Sequence, residues 1–394
     1  MSLLKRISGK YWLGCDASVV LGGVEYFEML EEMIDSAKES IHLHVYIYAP
    51  DKTGNSITEA LIRASGRGVR VFLLVDSFGS SDMSSNFEKK ITQTGIHFRY
   101  FMPIFSRRAF HFGRRMHNKV IVIDNKKALV GGINIADKYR GENGQLPWLD
   151  FAVAVTGPVC TELSAIYEFV WGNTIKISRI RSGLRIMPTS PYDDLLVAVR
   201  DNDWSRGKNA ISISYNRAIR NAERSITIVS GYFLPGRRVR HLLKKASKRG
   251  VKVKIILGGL SDVGLFRFAS RYLYHGLMKS GAEIYEYQKS VLHAKVAVVD
   301  GRWSTIGSYN LNYISDFNDL ELNIDISGKA FTGGLTETLE NIIKDDCVPV
   351  TDTTYLEKKS FWLRTRNYWA YQTMRLLMKI LNFFTPSNGK YERD

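Results

Sequence analysis

The second half of this chain repeats the first, and a chain repeated in this way has to fold as one plan used twice. The segment MHNKVIVIDNKKALVGGIN begins at Met116, and LHAKVAVVDGRWSTIGSYN begins at Leu292. Both spell H-x-K-x4-D-x6-G-[GS]-x-N. Further pairs keep the same order along the chain: SIHLHVYIY from Ser40 with SITIVSGYF from Ser225, ALIRASGRGVRVFLLVD from Ala60 with LLKKASKRGVKVKIILG from Leu242, and TGIHFRYF from Thr94 with SGAEIYEY from Ser280.

Within each half, apolar strand-like runs alternate with amphipathic helical segments that stop at glycine. That alternation predicts βα units and two pseudo-symmetric α/β lobes, each a mostly parallel sheet flanked by helices. The lobes are expected over residues 1–180 and 181–350, with their junction in the basic, poorly periodic stretch KISRIRSGLRIMPTSP from Lys176. Residues 351–394 form a basic, aromatic tail.

With 394 residues, 45% of them hydrophobic, the chain has material for two real cores, which excludes disorder as its main state. Lys and Arg number 55 against 39 Asp and Glu, and the resulting +16 points to an anionic partner: nucleic acid, a phospholipid surface or a phosphorylated substrate. Cys15, Cys160 and Cys347 lie far apart without a CxxC pair, so a disulfide framework and a thiolate zinc site are both excluded and a reducing compartment is favoured. No run of about 18 uninterrupted apolar residues occurs, so membrane contact is expected to be peripheral.

The repeated motif carries the chemistry. On an extended strand, residues two apart share a face, so His117 and Lys119 project together, as do His293 and Lys295. Asp124 and Asp300 follow at the next turn, and with His117, Lys119, His293 and Lys295 they are expected to be catalytic. The pairs Gly131, Gly132 and Gly307, Ser308 are expected to let backbone approach a ligand before Asn134 and Asn310 present their amides. Two imidazoles at a pseudo-symmetric seam suit phosphodiester transfer without a metal or cofactor: one attacks phosphorus while the other protonates the leaving alkoxide from the opposite side. Lys119, Lys295, Asn134, Asn310 and Ser308 are the expected donors to the phosphate oxygens. Asp150 in PWLDF follows the first motif and Glu321 in NDLEL the second, and these carboxylates are expected to hold the imidazole tautomers. His42 and His44 share a strand face, but no third ligand follows at suitable spacing, so they read as packing residues.

These motifs resemble the phospholipase D superfamily, over nearly the whole chain. More narrowly, the chain is similar to bacterial cardiolipin synthases of the short type. YIYAPDKTG from Tyr46, GRGVRVFLLVDSFGS from Gly66, WLDFAVAVTGPV from Trp148, GYFLPG from Gly231 and GSYNLNYISDFNDLELN from Gly307 carry the likeness. The resemblance implies a phosphatidyl-histidine intermediate on His117, with His293 as general acid and then base, although pseudo-symmetry permits the reverse. It implies phosphatidylglycerol as donor, a second phospholipid hydroxyl as acceptor, and a peripheral location on the cytoplasmic face of a bacterial membrane. Because one chain supplies both halves of the site, no oligomer is required. A hydrolase or nuclease of the same superfamily, and a lipid-binding protein with a degenerate site, are the competing readings, and no obligatory nucleic acid is expected.

In the tail, Phe361 to Phe384 reads as an amphipathic helix. Trp362, Trp369, Leu376, Ile380, Phe383 and Phe384 share one face, with Arg364, Tyr368, Tyr371, Arg375 and Lys379 opposite. No acid occurs between Glu357 and Glu392, so the helix suits an anionic bilayer surface, with docking on the protein itself as the alternative. Arg107, Arg108, Arg114 and Arg115, interleaved with Phe105, Phe110 and Phe112, suggest a loop dipping into lipid beside the site.

Overall fold

The repeats become two sheets with the same strand order. A computed structural model describes residues 10–102, 105–106, 109–110, 115–172, 195–203, 207–351 and 361–383. In the first lobe the strands lie in the order Asp16–Leu21, Phe151–Thr156, Lys127–Gly131, Lys119–Ile123, Ser40–Val45, Arg70–Asp76 and His97–Phe101. The second lobe repeats this as Leu196–Asp203, Asp319–Ser327, Trp303–Gly307, Lys295–Val299, Ser225–Ser230, Lys252–Gly258 and Glu283–Tyr287, with short strands added at both edges. The expected junction from Lys176 to Pro191 and the side chains of the Phe105 to Arg114 loop lie outside the described residues.

The sheets are less parallel than the strand and helix alternation predicts. Only the last three strands of each series run parallel, and helices such as Lys52–Gly66 and Arg237–Lys248 cross between them. The remaining neighbours in the two series are antiparallel. The cause is local: a corner of a few residues after Asp124 or Asp300 can join antiparallel strands but cannot make the crossover that parallel strands need.

These corners explain the aspartates. Asp124 and Asn125 have φ of 52° and 55°, Asp300 and Gly301 56° and 60°, the left-handed pair of a tight hairpin turn. Each carboxylate then clamps the entry of a neighbouring strand. Asp124 accepts from the backbone N–H groups of Lys38, Glu39 and Ser40 at 2.7–2.9 Å, and Asp300 from those of Glu223, Arg224 and Ser225 at 2.7–2.9 Å. Both therefore lie at the opposite strand end from the imidazoles. The expectation that they take part in catalysis is corrected to a structural one.

Packing explains why the central strands are apolar throughout. Ile121 and Ile123 face the core under the helices of their lobe, while Val120 and Val122 face a third core between the sheets, where Val296 and Val298 meet them. Ala297 and Val299 turn outward to the second lobe's helical core. A strand buried on both faces has no polar register to show.

The tail helix Phe361–Phe383 docks on Gly264–Met278 through Asn367, Ala370, Tyr371, Met374 and Met378. Tyr371 stacks on Tyr272 with ring centroids 4.6 Å apart, and the Arg366 guanidinium lies 3.7 Å from the Phe268 ring. The stripe read from sequence stays outside: Trp362 is 75% exposed and Trp369 62%, with Leu376 and Ile380 beside them. No helix among the described residues is long and apolar enough to cross a membrane.

Removing either corner carboxylate leaves three strand-entry N–H groups without their acceptor. Asp124→Ala and Asp300→Ala should each lower stability by about 1–3 kcal/mol, measured by urea unfolding, with the turnover of the folded fraction unchanged.

Candidate active site

The site is assembled by backbone stitches between the lobes. Arg115–Met116 pairs in parallel with Asp319–Leu320, and the His117 N–H donates to the Leu320 carbonyl at 2.9 Å. The second stitch is its pseudo-symmetric mate. His293 N–H donates to the Leu149 carbonyl at 2.9 Å, and Leu149 N–H to the Val291 carbonyl at 2.9 Å. Each histidine is thus fixed beside the residue that precedes the other lobe's carboxylate.

As a result, the carboxylates are exchanged. His117 Nδ1 lies 3.1 Å from both oxygens of Glu321, and His293 Nδ1 lies 2.6 Å from Asp150 Oδ2. Asp150 and Glu321 do meet imidazoles, as their positions after the motifs suggest, but each meets the one from the opposite lobe. With Nδ1–H donated to a carboxylate, Nε2 is the nitrogen left for the reacting group in each ring.

The residues after the motif aspartates serve this pairing more than a ligand. A Cβ on Gly131 would lie 2.5 Å from the Phe151 carbonyl, so this glycine admits the neighbouring strand; a Cβ on Gly132 would lie 2.5 Å from Asp150 Oδ1. At the matching position, the Ser308 hydroxyl donates to Glu321 and accepts from the Leu322 N–H at 3.0 Å. Asn134 is occupied at both ends: its Oδ1 accepts from the Ile47 N–H at 3.0 Å and its Nδ2 donates to the Tyr139 hydroxyl at 2.8 Å. Ser308 and Asn134 are therefore corrected from phosphate donors to supports. Asn310 differs: its Oδ1 is buried without a partner and its Nδ2, the donor, is held in no hydrogen bond among the described residues.

The lysines are the fixed cations. Lys119 Nζ donates to the His117 carbonyl at 2.5 Å, and Lys295 Nζ contacts the His293 carbonyl and lies 2.8 Å from its Nδ1. Burial pushes Lys119 down to about 7 and Lys295 down to about 8. Burial likewise raises Asp150 to about 6. Glu321 is also buried, but His117, Lys119 and Ser308 hold it below the usual carboxylate range. His117 is lowered by burial, and His293 is held well below its ordinary value by burial and then by Lys295, Lys119 and His117. Both imidazoles are therefore neutral near pH 7, and each feels the charges of the other repeat.

Several residues that motif reading did not reach complete the site. Tyr139 OH lies 3.5 Å from His293 Nε2. The rings of Tyr46 and Tyr232 pack edge-on to His117 and His293, with centroids 5.0 and 5.8 Å away. Both tyrosines follow the C-terminal ends of equivalent strands, where α/β sheets place ligands, and that position was the available signal. Asp76 accepts the Met116 N–H at 2.9 Å and so fixes the segment leading to His117. The donor atoms of His117, Asp319 and Glu321 fall within 4.8 Å of one another, close enough for an ion, but two of the three are already bonded as the imidazole–carboxylate pair. His42 and His44 lie apart from all this against Tyr167, with ring centroids 4.4 and 4.0 Å away.

Comparison with known proteins places the chain in a family. The family described as "Cardiolipin synthase, PLD-like domain" matches residues 30–149 and 215–343. The chain belongs to that family. Cardiolipin synthase B of Escherichia coli (strain K12) is 34% identical over 362 residues, covering 90% of this chain and 86% of its own. The major cardiolipin synthase ClsA of Bacillus subtilis (strain 168) is 27% identical over 381 residues, covering 92% and 75%. Among solved structures, the phosphatidylserine synthase of Haemophilus influenzae Rd KW20 has the same fold, with a TM-score of 0.73 at 15% identity over 96% of this chain and 97% of that one. The expected superfamily and two-lobed α/β architecture are borne out.

The exchange of carboxylates has a direct spectroscopic consequence. Asp150→Asn should change the tautomer signals of His293 in 15N NMR and leave His117 unaltered, while Glu321→Gln should do the reverse. An effect confined to each variant's own lobe would contradict the pairing.

Proposed function

We propose that this chain is a phosphatidyltransferase of the cardiolipin synthase type, working at an anionic membrane surface. The observation that carries the chemistry is the pair of imidazoles, each with Nδ1 fixed by a carboxylate of the other lobe and each beside a buried lysine. His117 Nε2 attacks the phosphorus of phosphatidylglycerol, and the bond to the headgroup oxygen breaks as His293 Nε2–H protonates it, releasing glycerol. The free hydroxyl of a second phosphatidylglycerol then gives its proton to His293 and attacks phosphorus, breaking the phosphorus–nitrogen bond. Lys119, Lys295 and the Asn310 amide serve the phosphate oxygens. His293 is neutral in the free enzyme; an anionic phosphodiester between the lysines offsets their charge and raises its proton affinity when an acid is needed.

The tail supports the surface location. Trp362, Trp369, Leu376 and Ile380 form an exposed stripe on a helix whose other face is already docked, and aromatic residues with a flanking Lys379 suit the headgroup region. Three free cysteines fit a cytoplasmic face. All residues of the site come from one chain, so catalysis needs no second copy.

Purified protein with phosphatidylglycerol vesicles should yield cardiolipin and glycerol; phosphatidic acid alone would make it a hydrolase, and DNA cleavage without lipid turnover a nuclease. His117→Ala should abolish covalent labelling by substrate, and His293→Ala should retain the label; the opposite pattern would reverse the two roles.

The pH profile of kcat/KM follows from the free site. Activity should rise with pH through about 6 as Asp150 ionises, and fall through about 7 to 8 as Lys119 and Lys295 lose their protons. Lys119→Arg should move the alkaline limb upward.

Replacing Trp362 and Trp369 together by serine should weaken sedimentation with phosphatidylglycerol vesicles by about tenfold, with unchanged turnover of a soluble short-chain substrate. Point substitution is the cleaner test, since deleting the helix would also strip Ala370, Tyr371, Met374 and Met378 from the second lobe's core.

A further inference from the structure

A second concentration of positive charge lies on the outer side of the second lobe, among residues that play no part in building the catalytic site. Helices Arg237–Lys248 and Gly264–Met278 and the tail helix Phe361–Phe383 flank an open cleft of about 520 Å³, lined among others by Arg240, Lys244, Arg271, His275, Arg364 and Asn367. Arg271 is matched, with Nε and Nη2 donating to the two oxygens of Glu286 at 2.8 and 2.7 Å, and Glu286 also accepts from the Tyr274 hydroxyl. The other cations are not. Among the described residues no carboxylate lies within ion-pair distance of Arg240, Lys244 or Arg364. Two buried polar atoms in the wall also lack partners: Arg240 Nε, and Oδ1 of Asn367, a residue only 7% exposed.

Arg240 and Lys244 are half-buried and Arg364 is exposed, so the cations keep part of their water, but the buried Arg240 Nε–H has no acceptor, which costs free energy. The same set becomes favourable once an oxyanion enters, because arginine and lysine form short charge-assisted bonds to phosphate oxygens. The volume suits a phosphate with a small attached polyol, within the size range of ordinary ligand pockets.

We propose that this cleft is a phosphate-binding site, separate from the catalytic centre, that takes the phosphate of an anionic glycerophospholipid headgroup or of a soluble glycerophosphate. Arg240 and Lys244 come from one helix and Arg364 from the tail, so a bound phosphate bridges the tail helix to the body of the second lobe, and Asn367 Oδ1 is placed to accept from a hydroxyl of the attached polyol. The site goes beyond the catalytic reading and does not depend on it.

Acetylation of Lys244, followed by mass spectrometry on the full chain, reports occupancy locally and independently of turnover. The probes are sn-glycerol 3-phosphate at matched ionic strength, and vesicles of phosphatidylglycerol in phosphatidylcholine against phosphatidylcholine alone; exposed Lys52 is the internal control. Lys244 labelling should slow at least fivefold with one or both phosphate probes while Lys52 is unaffected. Slowing by the soluble ester assigns a soluble ligand, and slowing by the anionic vesicles alone assigns a lipid headgroup. In Arg240→Gln and, separately, Arg364→Gln, the protection should disappear with thermal stability and turnover of a soluble substrate retained. Unchanged Lys244 labelling with both probes would overturn the proposal, as would protection by vesicles that persists in both variants, since that is simple surface coverage.

Discussion

The structure depends on the stitches by which each histidine's own N–H bonds the other lobe, to Leu320 for His117 and to Leu149 for His293. Everything chemical follows from them. A backbone hydrogen bond fixes a residue's position far more tightly than a long side chain can, so the imidazoles arrive beside Glu321 and Asp150 without relying on flexible reach. The interfacial core of Val120, Val122, Val296 and Val298 keeps the sheets in the register that these bonds require.

Around the stitched centre, burial sets the charges. Lys119 and Lys295 are almost wholly enclosed and their ammonium groups are held only loosely protonated, while Asp150 is pushed toward neutrality. The buried ammonium groups are poorly solvated, and an anionic phosphodiester supplies a partner that favours their charged form. Affinity for the reacting group and readiness for proton transfer thus have the same origin.

Much of this was legible in the sequence, and the gaps have physical reasons. The duplication and the His–Lys spacing specified the lobes and the side chains at the seam, because a period of two on a strand leaves little freedom. Asp124 and Asp300 misled, since a motif states that a residue recurs without stating why; the adjoining Asn125 and Gly301 were the local hint of a left-handed corner. The partners of Asp150 and Glu321 were invisible because separation along a chain says nothing about which lobe a strand end faces. In the tail, strong apolar residues marked the exposed stripe, whereas the docking face is written in Ala370, Tyr371, Met374 and Met378, which hydropathy weighs lightly.

The reciprocal arrangement of histidine and carboxylate has the form of a two-fold interface folded into one chain. In a two-fold dimer of a single repeat, symmetry makes residue i of one copy touch residue j of the other, and j touch i. His117 with Glu321 and His293 with Asp150 reproduce that relation inside one polypeptide. Fusing two such copies would have preserved the trans contacts while freeing each half to diverge, which accounts for a glycine beneath the aspartate on one side and a serine holding the glutamate on the other.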